Sequence, residues 1–150
     1  MRLAAWQNFD SLVGKPAWRT FVVLSLTLPS VPAGERRDGL AARLRDSDAL
    51  FSNTMADFYR QMLPILGLRP KPPFTEANVY QFLAKVGGAL VEGLGIHHGL
   101  DPGLSAQRFG GPGGEWSPPA IGFLAIIDAL TEPDPDFQPP EINDRGDLKP

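Results

Sequence analysis

Read by the spacing of its apolar positions, the chain is a succession of helices. Leu3, Trp6, Phe9, Leu12 and Val13 follow a helical stripe. No capping residue precedes them, so the chain opens as though in mid-helix. Gly14-Lys15-Pro16 closes that stripe, and a second helix opens at Pro16 with Trp18, Phe21, Val22, Leu24, Ser25 and Leu28. It is apolar nearly all round and is therefore expected at the centre of the fold. Pro29 to Gly34 ends it. Leu40, Leu44, Phe51, Met55, Phe58, Tyr59, Met62 and Leu66 then keep a three-or-four spacing over a long helix, with a break expected near Ser47. Pro64 sits in its last turn and Gly67 is the expected C-cap, followed by a stiff Arg69-Pro70-Lys71-Pro72-Pro73 connection.

The stretch from Phe74 to Pro102 carries two stripes. Thr75 is the expected N-cap, with Phe74 stapled against Val79, and Gly99 and Pro102 supply stop signals. Val79, Phe82, Leu83, Val86, Leu90 and Leu94 form a large apolar face. Tyr80, Ala84, Gly87, Gly88, Val91 and Gly95 form a small or smooth one beside it. Small residues cost helix propensity unless another backbone comes close, so this helix has two neighbours to serve, its own core and, as a candidate, a second subunit. Gly103 to Glu115 contains Gly110-Gly111-Pro112-Gly113-Gly114 and is expected to be irregular. Ser117 then caps a helix with Pro118 first and Ile121, Phe123, Leu124, Ile126, Ile127 and Leu130 along it. No alternating pattern of strand length occurs, and the expected fold is all-α, an antiparallel bundle of about five helices.

At 150 residues the chain has the size of one domain, expected over 1–131, with a disordered, Pro-rich acidic tail over 132–150. It contains no cysteine, which excludes disulfides and thiolate metal sites. No apolar run reaches the ~18 residues of a membrane span, and Met1 to Gln7 lacks the apolar core of a signal peptide. A cytoplasmic protein without membrane contact is the expectation. The net charge of -3 offers no field to attract nucleic acid. Arg36, Arg37, Arg43 and Arg45 are diluted by Glu35, Asp38, Asp46 and Asp48, which reads as a solvated helix face.

Candidate chemistry is sparse. His97 and His98 point about 100° apart on a helix and cannot share a metal as an i, i+4 pair could; they read as a cationic or hydrogen-bonding helix C-terminus, the alternative being that one of them offers a polar contact to a ligand. The glycine run lacks the Lys-Ser/Thr of a phosphate loop. No Ser/His/Asp or paired-carboxylate arrangement stands out, so no enzyme, cofactor or metal is called for. Trp18, Phe21, Phe51, Met55, Tyr59, Met62 and Tyr80 suit a core. As a group they also suit a pocket for an apolar small molecule, with Ser25 and Asn53 adding hydrogen bonds. The helices at 75–100 and 117–130 carry more apolar or small-residue surface than one domain covers, which points to a two-fold homodimer with Gly88, Val91, Gly95, Ile121, Leu124 and Asp128 near the axis.

The order of elements resembles the C-terminal regulatory domain of TetR-family transcriptional repressors. The resemblance is carried by Lys15 to Phe21 opening a buried helix, by the long helix from about Leu40 to Leu66 ending in Gly67-Leu68, and by Gly88 to Pro102 with its closing Leu100-Asp101-Pro102. It covers residues 1 to about 131 and implies a homodimer built on a four-helix bundle of the helices at 75–100 and 117–130. It also implies an effector pocket among the helices at 18–28, 49–66 and the inner face of 75–100. The ligand-binding set is then Trp18, Phe21, Ser25, Phe51, Met55, Tyr59, Met62 and Tyr80, for a hydrophobic or aromatic effector. The family's N-terminal helix-turn-helix has no counterpart before Trp6, so DNA would be reached only through a module missing from this chain. The alternative is a stand-alone helical protein that sequesters a hydrophobic metabolite or forms mixed dimers with a full-length repressor.

Overall fold

The structure, a computed structural model, describes residues 2–139, with the side chains of residues 2–6 and 8 outside the described set. Leu3 and Trp6 of the first stripe, and 140–150 of the expected tail, therefore lie outside the described residues. Six α-helices and four three-residue strands follow one another among the described residues: α1 (Arg2–Val13), α2 (Pro16–Thr27), α3 (Glu35–Ile65), β1 (Leu68–Pro70), α4 (Val79–Leu100), α5 (Pro102–Ala106), β2 (Phe109–Gly111), β3 (Gly114–Trp116), α6 (Pro118–Leu130) and β4 (Thr131–Pro133). The all-α expectation holds at this level, and the strands form two short antiparallel pairs, β1 with β4 and β2 with β3.

The core forms where α3, α4 and α6 meet. Ala56, Tyr59 and Leu63 recur at helical steps on α3 and pack against Val79, Tyr80, Leu83 and Ala84 of α4 and Ile127 and Leu130 of α6. Two glycines let α4 and α6 approach: a methyl at Gly122 would lie 2.9 Å from Leu90, and one at Gly87 would lie 2.9 Å from Phe123. α3 runs unbroken through Ser47. It ends at Gly67, which adopts the left-handed conformation (φ +69°) and donates to the Pro64 carbonyl at 2.9 Å. A side chain there would also strike the Phe137 ring, 2.6 Å from the position of its Cβ.

α4 starts later than its sequence suggested. Residues 75–78 form a turn in which Asn78 accepts from the Thr75 amide at 2.9 Å, and Asn78 takes the N-cap position in place of Thr75. Phe74 packs against the core cluster that encloses Val79, and its ring stacks on Phe82 at 5.6 Å.

α2 differs more. It was expected to be central, yet only Val22 is buried, while Val23 and Leu26 are 58% and 62% exposed. The chain has too few other elements to surround a helix that is apolar on every side, so α2 lies on the periphery. It is held at its first turn, where the Arg19 side chain donates to the Val13 carbonyl at 3.1 Å and the Trp18 indole covers Gly95 of α4.

The stretch expected to be irregular is ordered. Asp101 caps α5 by accepting from Gly103 at 2.9 Å, and β2 pairs antiparallel with β3 through a turn that needs the positive φ of Gly113 and Gly114. The start of the expected tail is ordered too. β4 pairs with β1, Arg69 reaches Glu132 at 2.8 and 3.0 Å, and Phe137 covers Gly67.

Candidate functional site

Between α1, α2, α3, α4 and α6 lie two adjoining chambers. The outer one, about 250 Å³, is walled by Trp18 and Phe21 of α2, Ser47, Asp48 and Phe51 of α3, Gly88, Val91 and Glu92 of α4, and Leu12 and Lys15 near the α1–α2 corner. The inner one, about 320 Å³, is walled by Phe51, Met55, Phe58, Tyr59 and Met62 of α3, Ala84, Gly87, Gly88, Leu90 and Val91 of α4, and Pro119 and Phe123 of α6. Leu12, Phe51, Gly88 and Val91 belong to both. Gly88 faces Phe51 on their shared boundary, where a methyl would stand 3.8 Å from the Phe51 ring, in ordinary contact. Their sizes suit a small organic molecule.

The inner chamber is apolar with one polar handle. Among the described residues the Tyr59 hydroxyl has no hydrogen-bond partner, and burial pushes its ionisation well above the ordinary phenol value. Its ring lies 5.6 Å from that of Phe123, so the two aromatics form one wall. The outer chamber adds charge. Burial, and next the charge of Asp48, push the Glu92 carboxyl up from its ordinary value. Asp48 itself is approached by Lys85 at 3.7 Å.

Of the eight residues expected to bind ligand, Phe51, Met55, Tyr59 and Met62 line the inner chamber and Trp18, Phe21 and Phe51 the outer one. Ser25 and Tyr80 line neither. Tyr80 is buried in the core with the Arg60 guanidinium 5.4 Å above its ring, and Ser25 lies farther along α2. Asn53 is exposed and accepts from Gln81 at 2.7 Å. Of the six residues placed near a dimer axis, Gly88 and Val91 face the chambers, and Gly95 is sealed beneath Trp18, whose ring would lie 2.2 Å from an added Cβ. The small stripe of α4 is thus turned inward, answering Trp18 and Phe51. Ile121, Leu124 and Asp128 stand exposed on α6.

His98 acts structurally. His98 Nδ1 hydrogen-bonds the buried Ser105 hydroxyl and its ring meets Phe9 edge-on, tying the end of α4 to α5 and α1. Among the described residues no three His, Asp or Glu side chains converge as metal ligands would. Nor is any helix long and apolar enough to cross a membrane. The sequence reading missed Leu12, Phe123 and Glu92. Glu92 did carry a signal, being the one charged residue between Lys85 and His97. No family model, curated protein or solved structure matches the chain.

Proposed function

We propose that this chain is the ligand-sensing and dimerisation domain of a TetR-like transcriptional regulator, responding to a hydrophobic or aromatic small molecule. The observation that carries the reading is Leu12, near the end of α1, which lines both chambers. Through it the first helix of the chain meets whatever fills them. A molecule that prefers one seating of α1 and α2 against α3 and α4 biases that seating by its differential affinity, which is the requirement for a sensor. A stand-alone binding protein needs the cavity but not this coupling. Pairing is assigned to α6, whose Ile121 and Leu124 are each 41% exposed, with a second copy of the chain as the cover on a two-fold axis. Contact with DNA is assigned to no residue of this chain.

The test uses the neutral fluorophore N-phenyl-1-naphthylamine with the full chain. Saturable binding is expected, abolished by Gly88→Leu, which projects a side chain into both chambers. Hydrogen exchange of the α1 amides should slow on binding. If the probe binds and α1 is unaffected, the chain is a stand-alone binder; if no saturable binding occurs, the sensor reading fails.

A further inference from the structure

The nature of the ligand can be narrowed, and this step rests on the chambers being a binding site. The outer chamber departs from its apolar neighbour by placing Glu92 among Trp18, Phe21 and Phe51. Glu92 is half-buried, and among the described residues it takes part in no hydrogen bond or ion pair. Asp48, the second carboxylate of this wall, already has Lys85 at 3.7 Å, so its charge is partly answered. Lys15 stands on the same rim, exposed and in no ion pair with either.

A half-buried carboxylate that makes no ion pair gains from an opposite charge brought beside it, and a cation on the ligand supplies one. Aromatic faces favour the same charge, because the ring quadrupole attracts an ammonium. An anionic ligand would meet Glu92 and Asp48 directly, and a neutral one would leave Glu92 unpaired while covering it. Gly88 lines both this charged chamber and the inner one, which has no charged wall. We infer that the molecule bound here is a lipophilic organic cation, with its amine or quaternary ammonium head between Glu92 and the Trp18 indole and its apolar body beside Met55 and Tyr59.

Phenyltrimethylammonium and its uncharged isostere tert-butylbenzene isolate the head group, each competing with N-phenyl-1-naphthylamine on the full chain. The cation should bind about tenfold or more tightly than the isostere, as a charge-assisted contact together with an aromatic face provides. Glu92→Gln should remove most of that preference, with the larger loss falling on the cation. Lys15→Ala, by deleting a competing ammonium, should enlarge it. Equal affinities of cation and isostere, or an equal loss of both in Glu92→Gln, would overturn the head-group assignment while the cavity stands. Failure of all three compounds to bind would instead remove the cavity reading on which it rests.

Discussion

The seating of α2 turns on one contact, and Gly95→Ala tests it. In the interior of α4 the change from Gly to Ala is worth about 0.8–1.0 kcal/mol of helix propensity. Against that, the new methyl would lie 2.2 and 2.7 Å from two atoms of the Trp18 indole and 3.2 Å from Val13. The indole must move by about an ångström to restore ordinary contact, and overpacking of this order costs about 1–3 kcal/mol. The net expectation is a loss of about 0–2 kcal/mol in the wild-type background. In a Trp18→Ala background the clash with the ring is gone and the propensity gain remains, so the same substitution should stabilise. Val13 is present in both backgrounds and cancels to first order. A double-mutant cycle read by urea denaturation with far-UV circular dichroism should therefore give a coupling of about 1–3 kcal/mol between positions 18 and 95. Equal effects of Gly95→Ala in the two backgrounds would refute the packing of Trp18 on α4 and, with it, the outer wall of the cavity.

Other expectations follow from single sites. Gly67→Ala forces a left-handed backbone on a residue with a Cβ and drives that Cβ into Phe137, so thermal unfolding should move down by several degrees, for a loss of about 1–3 kcal/mol. Tyr59 has a folded-state ionisation raised above the ordinary value of 10, so the neutral form is favoured on folding. Its stabilising effect is complete below about pH 10 and is lost as pH rises toward the folded value, and Tyr59→Phe should flatten the alkaline arm of a pH–stability profile. Leu124→Arg should convert a dimer to monomer in sedimentation velocity if α6 forms the seam; a dimer unchanged by it places the seam elsewhere. Arg69→Ala should cost no more than about 1 kcal/mol in chemical denaturation, because the pair with Glu132 is solvent-accessible.

What could be read from the sequence was whatever depended on local spacing. The periodicity of Ala56, Tyr59 and Leu63, of Val79 and Leu83, and of Ile127 and Leu130 defines the core-forming helices, and Gly67 marks the end of α3 in both sequence and structure. What depended on the count of neighbours was not readable. An apolar helix such as α2 looks central until one asks what remains to surround it, and the small stripe of α4 looks like a subunit seam until Trp18 and Phe51 are found in front of it. The β2–β3 hairpin was hidden because Gly110 to Gly114 reads as flexible, although two of those glycines supply the positive φ of the turn and Phe109 faces Trp116 across it. Four of the thirteen residues lining the inner chamber, Phe51, Met55, Tyr59 and Met62, were legible as adaptable side chains on α3. Their partners on α1 and α6 were not, since only the tertiary fold brings Leu12 and Phe123 there.

The clasp between β1 and β4 bears on the kinetics of folding. Arg69 and Glu132 are 63 residues apart in sequence, and closing a flexible loop of that length costs about 3.7 kcal/mol in chain entropy. Three residue pairs at a protein edge and an accessible ion pair return little against such a cost. The clasp therefore closes only after α3, α4 and α6 have packed and carried its ends together. Its contacts are expected to form after the transition state, so Arg69→Ala should quicken unfolding while leaving the folding rate almost unchanged. The three-residue ladder thus acts as a latch on the lifetime of the native state, with no part in how fast that state is reached.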